Sequence, residues 1–310
     1  MTQSIAAAVH ICESTIRFAA LAREDDTLSL QRFGQRTFEF DVARALWEDD
    51  AVPDGLDRVK GATRDVFDGV ELTSLRIVLH PLDVYSFFIP VPADLSAQER
   101  KRHATPQAAL VTGARSPDTL RLTLRPVRTV EQGGEAIEWV HVLAVPRDVD
   151  ERMEALLGVL PVQHTARLVS SEAAARLLGH AETGAPVETE NPFRLGIGAY
   201  PSHTEYALTY DRSWYHAHAT QDARTAADRA YYAVGVLNRV QVPPSAISSL
   251  FVYGPDANSD ALEVYESVFE CRPVPLNPFE HLAQLSERPQ DTHAPGLHVP
   301  CIGAALDAST

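Results

Sequence analysis

Hydrophobic and polar positions in the first forty residues follow the two-residue period of β-strands. An apolar run at 5–11 precedes a polar turn at 12–14, and a β-branched and apolar run at 15–23 comes next. Alternation then continues as far as Phe38 and Phe40. No helical pattern follows the first run, so the sequence predicts a β-meander at the start of the chain instead of a strand–helix–strand unit.

Helical spacing first appears after the turn at 53–55, where apolar residues recur at Leu56, Val59, Ala62 and Val66. A second helix start is indicated by Ser96 and Glu99, which have the spacing of a capping box. Two alternating runs flank a turn at 132–134 and predict a hairpin. The strands predicted here are 75–79, 84–91, 119–130, 137–145 and 166–169, and the helices are 149–157 and 171–178.

The second half of the chain repeats the opening pattern of three short strands. These strands are predicted at 194–200, 204–210 and 214–220. The elements predicted after them are a helix at 222–240, a strand at 250–253, a helix at 259–269, an extended segment at 273–276 and a terminal helix at 300–306. A polar stretch rich in Gly and Pro separates the halves, which indicates a linker between two copies of one pattern.

Six segments of the chain, in the correct order, resemble the actin-like superfamily and, within it, the PilM family of type IV pilus assembly. They occupy the positions of two phosphate loops, an inserted subdomain, a strand–helix unit, an adenosine-contacting glycine motif and a closing helix. The segments are 8–21, 89–110, 140–160, 195–208, 250–258 and 300–306.

The resemblance implies an α/β, duplicated actin-like (ribonuclease H-like) fold with two lobes and a cleft between them. The first lobe is expected at 1–180, including a small inserted α/β subdomain at about 83–160. A linker is expected at 181–192 and the second lobe at 193–310.

The same resemblance locates a nucleotide site that this sequence has largely lost. The family's first loop reads roughly D-I-G-S-S-S, and its second reads D-I-G-A. Here both metal-directed aspartates are missing, and the carboxylate of Glu13 is expected to repel phosphates. The degenerate nucleotide-site positions are His10, Cys12, Glu13, Ser14, Gly196, Gly198, Gly254 and Pro255.

We therefore expect no catalytic residue, no metal site and no cofactor, and we expect a pseudo-ATPase. The alternative is a rearranged site for ATP and magnesium, in which hydroxyls of Ser14, Thr15, Ser202 and Thr204 hold the phosphates. In that case the protein would be an active actin-like ATPase that switches or polymerises with nucleotide.

By resemblance, the favoured function is a non-catalytic adaptor of a type IV pilus or related secretion machine. PilM proteins bind the short cytoplasmic tail of the inner-membrane protein PilN, so a PilN-like tail is the expected partner. Self-association remains a second possible interaction. The expected location is cytoplasmic and peripheral to the inner membrane, with contact to the membrane made through the partner.

Composition narrows these expectations. The 310 residues carry a formal net charge of -15, so a broad basic surface for nucleic acid is not expected. No apolar run reaches 18 residues, which argues against direct membrane insertion. One basic cluster, at 99–103, is predicted on a helix, either as a solvated face or as a contact for an acidic partner or lipid head groups.

Two further groups of residues are candidates for chemistry. His216 and His218 lie two apart on a predicted strand and share a face, which is a possible metal-binding spacing. No third ligand is evident, so we interpret them as exposed strand histidines. Cys12 beside His10 and Glu13 has the composition of a nucleophile with a base, but a degenerate phosphate loop explains these residues equally well.

Overall fold

The computed structural model describes residues 4–24, 27–48, 52–181, 193–257, 262–282 and 294–306. The strands are β1 (Ser4–Cys12), β2 (Thr15–Glu24), β3 (Thr27–Thr37), β4 (Ser74–Leu79), β5 (Tyr85–Pro92), β6 (Leu120–Gln132), β7 (Glu135–Pro146), β8 (His164–Val169), β9 (Phe193–Ala199), β10 (Thr204–Tyr210), β11 (Ser213–Thr220), β12 (Ile247–Tyr253) and β13 (Val274–Pro275). The helices are α1 (Val42–Trp47), α2 (Gly55–Val66), α3 (Ala97–Thr112), α4 (Arg147–Leu157), α5 (Ser170–His180), α6 (Ala226–Arg239), α7 (Leu262–Phe269) and α8 (Val299–Ala305).

The first sheet has the strand order β3-β2-β1-β4-β8. Strand β1 is antiparallel to β2 and parallel to β4, and β4 is parallel to β8. Both faces of β1 are buried, which explains its continuous apolar run. Val9 and Ile11 face the core that contains α1, α2 and α4, whereas Ala8 and Cys12 face the core that contains α5 and α8.

The second sheet has the order β11-β10-β9-β12-β13. When the strands of each sheet are counted along the chain, both sheets have the order third, second, first, fourth, fifth. The antiparallel and parallel pairings of β9 also match those of β1. The internal duplication inferred from the sequence is thus present as a repeated topology.

The small sheet has the order β5-β7-β6 and is antiparallel. Helix α3 covers it through Ala104 and Ala108, which are buried. This helix begins with the predicted capping box, in which Ser96 and Glu99 each bond the other's backbone N–H. Arg100, from the predicted basic cluster, is paired with Glu138 of β7 at 2.8 Å, so it is not free for a partner.

One local prediction was wrong in the first half, and one short helix was missed. The alternation at Phe38 and Phe40 does not extend the third strand, because β3 ends at Thr37. The two rings instead lie 5.2 Å apart and pack on the hydrophobic core. Helix α1, which starts when Asp41 accepts a bond from the N–H of Arg44, is only six residues long and was missed because it spans less than two turns.

Helices α5 and α8 lie between the two five-stranded sheets. Helix α8 packs against β1, β2 and β4, while α5 packs against β9, β10 and β11. The two helices meet where Gly303 approaches the backbone of Ala173 so closely that a side chain would not fit. The predicted linker lies almost wholly outside the described residues, and the predicted lobe boundaries remain predictions. No helix among the described residues is long and apolar enough to cross a membrane.

Candidate functional site

Five polar residues meet between the two five-stranded sheets. His10 is on β1, His80 directly follows β4, and Ser170 starts α5 directly after β8, so all three lie at the carboxyl ends of parallel strands. This edge of a sheet is where α/β folds usually bind ligands. The second sheet reaches the same point with the β9–β10 hairpin, which supplies His203 and Glu205.

One carboxylate oxygen organises this site. Oε1 of Glu205 lies 2.5 Å from Nδ1 of His80, 2.9 Å from Nε2 of His203 and 2.5 Å from Oγ of Ser170, whose hydroxyl donates to it. The two histidines also approach each other, with Nδ1 of His80 and Nε2 of His203 3.1 Å apart. We call His80, His203 and Glu205 the central triad.

The triad is almost completely shielded from solvent. Glu205 is 0% exposed, His80 3% and His203 4%. Burial opposes ionisation of both His80 and Glu205, but their mutual attraction outweighs it. The pKa of His80 is consequently raised and that of Glu205 is lowered, so the pair holds an imidazolium against a carboxylate.

Aromatic rings enclose the triad. The His80 ring contacts the rings of His10, Tyr200 and His203, with centroids 4.8, 4.6 and 4.4 Å away. Tyr200 also stacks on His203, at 4.8 Å and nearly parallel. This packing holds the imidazoles in fixed orientations.

His10 is the unusual member of this group. It is wholly buried, and neither of its ring nitrogens has a hydrogen-bond partner. Burial, followed by the charge of His80, holds its pKa well below the ordinary value for histidine. A buried polar side chain without a partner is uncommon in native proteins, which calls for an explanation at this site.

Cys12 lies on the same face of β1 as His10, as the strand period requires. Burial alone would raise the pKa of its thiol, but hydrogen bonding to His80 and the positive charges of His80 and Arg17 bring it below the ordinary value. The thiol is 8% exposed, so reagents in solution have little access to it.

The structure separates the remaining positions of the predicted degenerate nucleotide site. Glu13 and Ser14 form the β1–β2 turn, where Glu13 has a left-handed backbone (φ 53°) and an exposed side chain. Gly196 and Gly198 lie within β9. Their role as nucleotide-site positions remains a prediction.

Packing explains the glycines of the second half. A Cβ on Gly196 would lie 2.8 Å from Leu178, and one on Gly198 would lie 2.7 Å from the ring of Tyr253. Gly254, which follows β12, has φ 93° and abuts the backbone of Ala199, whereas the neighbouring Pro255 is exposed. Each glycine therefore has a structural reason that needs no ligand.

Three of the four hydroxyls proposed for a rearranged phosphate site have partners within the protein. Thr204 donates to the carbonyl of Ala223 at 2.7 Å, and the Ser202 hydroxyl lies 3.0 Å from Nδ1 of His203. Thr15 lies 3.5 Å from the hydroxyl of Thr37.

The interpretation of His216 and His218 as exposed was wrong, because the small sheet packs against β11 and half-buries both. The ring of His216 lies 4.6 Å from that of Phe88, and burial, followed by the charge of Arg128, lowers its pKa to about 3. Both histidines line a cavity of about 290 Å³ between the small sheet and the second sheet.

Sequence reasoning missed the central triad. His203 directly precedes β10 and Glu205 lies on it, so their spacing of two was a usable signal, but His80 lies more than 120 positions away in the chain. Only the topology brings it to them.

Comparisons with known proteins agree with this architecture. No protein-family model and no curated protein matches the chain in sequence. In structure, the chain is similar to one in a solved "PilM-PilN type IV pilus biogenesis complex", with a TM-score of 0.70, 13% identity and coverage of 99% of this chain and 98% of the other. It is also similar to a Bacteroides thetaiotaomicron protein "with actin-like ATPase fold and unknown function", with a TM-score of 0.52, 9% identity and coverage of 89% and 91%. At these identities the similarity shows the fold, and the predicted actin-like α/β fold and the structural resemblance to PilM are confirmed.

Proposed function

We propose that this protein is a non-catalytic actin-like adaptor that binds the cytoplasmic tail of an inner-membrane protein in a pilus-type or secretion-type machine. The observation that carries the proposal is the buried triad at the point where the β9–β10 hairpin meets the carboxyl ends of β1 and β4. A nucleotide in this fold needs open backbone and metal-directed carboxylates there.

The chemistry of the site opposes phosphate binding. The only carboxylate of the triad, Glu205, is used by His80, His203 and Ser170, all of which approach its Oε1. A phosphate placed beside this carboxylate would be repelled, and the rings of His10 and Tyr200 fill the adjacent volume. Loss of nucleotide binding leaves interaction with other proteins as the function of the fold.

Partner binding is supported by likeness and by charge. The structurally similar PilM chain was solved in a complex with PilN. Segments that flank a membrane span on the cytoplasmic side are commonly rich in Lys and Arg. A chain with a net charge of -15 is suited to attract such a tail. Strand β3, at one edge of the first sheet, offers a backbone to which an extended peptide can add.

The proposed loss of nucleotide binding is tested by isothermal titration calorimetry of the full chain with ATP and magnesium. We expect no saturable heat. Saturable binding that requires magnesium, accompanied by ATP hydrolysis, would establish the actin-like ATPase instead.

The adaptor half is tested by fluorescence anisotropy. The labelled probe is the cytoplasmic N-terminal segment of a PilN-like inner-membrane protein with a single membrane span. The control is a peptide of the same composition in scrambled order. We expect saturable binding of the native peptide only, weakening as salt increases and unchanged by ATP with magnesium. Equal binding of both peptides, or binding of neither, would contradict the adaptor role.

A further inference from the structure

The central triad has the composition and geometry of a site for a transition metal. It offers two imidazole nitrogens and one carboxylate oxygen, and all three donor atoms lie within 4.8 Å of one another. Two histidines with one glutamate form a recurrent zinc ligand set. Among the residues that the structure describes, no other group of three or more His, Cys, Asp or Glu side chains lies close enough together to share one ion.

The distances suit a shared ion after a small adjustment. Bonds of about 2.0–2.1 Å in tetrahedral zinc sites place ligand atoms roughly 3.3 Å apart. The two imidazole nitrogens are already 3.1 Å apart, while the Glu205 oxygen lies 2.5 and 2.9 Å from them. A shift of the carboxylate by less than about 1 Å would bring all three atoms to that spacing.

The surroundings supply an outer contact of the kind that metal-binding histidines need, for His203. The second nitrogen of His203, Nδ1, lies 3.0 Å from the Ser202 hydroxyl, which fixes its ring and directs Nε2 to the centre. Ser170 lies beside both Glu205 and His80, close enough to hydrogen-bond a water on the fourth position.

An independent observation also indicates a ligand here. The unpartnered ring of His10 is wholly buried and lies edge-on to His80. The buried hydroxyl of Tyr200 is likewise without a partner and belongs to the ring that stacks on His203.

We propose that His80, His203 and Glu205 bind one divalent transition metal ion of the zinc class, which fastens the first sheet to the second. His80 comes from the first sheet, and His203 and Glu205 come from the second, so a bound ion crosslinks the two halves. Burial of every ligand denies access to a substrate, which makes the ion structural instead of catalytic. The site occupies the centre of the fold, where it locks the halves in one arrangement.

The test uses the full chain without a histidine tag, stripped with EDTA, incubated with zinc and then dialysed. Mass spectrometry of the metal is expected to find about one zinc per chain, and zinc is expected to raise the melting temperature of the stripped protein. The variants His203→Gln and Glu205→Gln are expected to lose both effects. His218→Gln, which removes a histidine from the rival pair on β11, is the matched control and is expected to retain them.

A spectroscopic measurement on the unaltered protein keeps the proposal testable if a variant fails to fold. Cobalt replacing zinc is expected to give the strong visible absorption of a tetrahedral site, without the near-ultraviolet band of a cobalt–thiolate bond, because Cys12 is not a ligand in this assignment. The absence of retained metal and of the visible bands would overturn the proposal. Retention by the His203→Gln and Glu205→Gln variants, or loss only in His218→Gln, would overturn it as well.

Discussion

The two five-stranded sheets share one strand order but bring different groups to the point where they meet. The first sheet supplies His10 and His80 at the carboxyl ends of β1 and β4, and the second supplies His203 and Glu205 from one hairpin. The first contribution is entirely basic, whereas the second contains the carboxylate. The hydrogen bonds of His80 and Glu205 need groups from both halves of the chain. The point where the two sheets meet is therefore a contact that holds the halves together.

A second contact between the halves is chemically different. Where the small sheet meets β11, His141 and His216 pack with Phe88 and Trp214. Burial lowers the pKa of His141 to about 4, so this contact is neutral and aromatic, whereas the central one is ionic. The comparison predicts that the two contacts respond differently to mutation and to pH.

The largest effect is expected from removing the central carboxylate. In Glu205→Ala, His80 is left as a buried cation without its partner, which typically costs about 3–5 kcal/mol in the free energy of unfolding. Urea denaturation with EDTA present measures the loss without a contribution from metal. The exposed Glu263 provides the control, because Glu263→Ala is expected to change the free energy by less than about 0.5 kcal/mol. Similar values for the two variants would contradict the ionic contact.

The second largest effect is expected at the neutral contact around His141, which should make the free energy of unfolding depend on pH. The unfolded chain takes up a proton on His141 near 6.5, the ordinary pKa of a histidine side chain, but the folded chain does so only near 4. Stability should therefore fall as pH decreases from about 6.5 to 4, by on the order of 3 kcal/mol for this residue, and level off below that.

His141→Phe should remove this part of the pH dependence while keeping an aromatic ring beside Phe88 and Trp214. Urea titrations between about pH 4 and 7 compare the variant with the wild type and with His103→Gln, which alters an exposed histidine of α3. Equal slopes for His141→Phe and the wild type would show that His141 is not held neutral. Glu172 and Arg125, which also act on His141, remain unchanged in every variant.

A smaller effect is expected where the second sheet requires a residue without a side chain. Ala at position 198 would place its Cβ 2.7 Å from the fully buried ring of Tyr253, and such overpacking typically costs about 1–3 kcal/mol. Gly235→Ala on α6 meets no atom within 4 Å and should instead stabilise the chain by about 0.5–1 kcal/mol. Thermal unfolding of Gly198→Ala and Gly235→Ala should therefore shift in opposite directions. A stabilising Gly198→Ala would refute this account of β9.

The smallest effects should be equal in the two halves of the chain. Helices α3 and α6 begin with matching capping boxes, Ser96 with Glu99 and Thr225 with Asp228. Replacing either cap by Ala should cost about 1 kcal/mol, since each loses one bond to a backbone N–H. Hydrogen exchange at the first turns of α3 and α6 locates the loss. A cost confined to one helix would show that tertiary packing, and not the cap, holds the other.

Much of the fold could be predicted because its signals are local. The capping residue Ser96, the apolar spacing of α2 and the turn at Gly133–Gly134 each depend only on residues a few positions away in the chain. The repetition of one pattern in both halves was also readable, and it appears as the repeated sheet order. Errors arose where a neighbour overrode the local pattern, as at Phe38 and Phe40, whose rings pack together instead of extending a strand.

The sequence by itself determined the duplicated α/β architecture, and it singled out His10 and Cys12, although their assignment to a degenerate phosphate loop stays a prediction. Only the tertiary structure decided what those residues face. Packing of the carboxyl end of β4 against the β9–β10 hairpin of the other sheet brings His80 within hydrogen-bonding distance of Glu205, 125 positions away. Hydrophobic periodicity fixes which face of a strand is buried, but it carries no information about which distant strand end lies opposite. The charge of the central triad depends on that encounter, because burial and partner together set the pKa of each group.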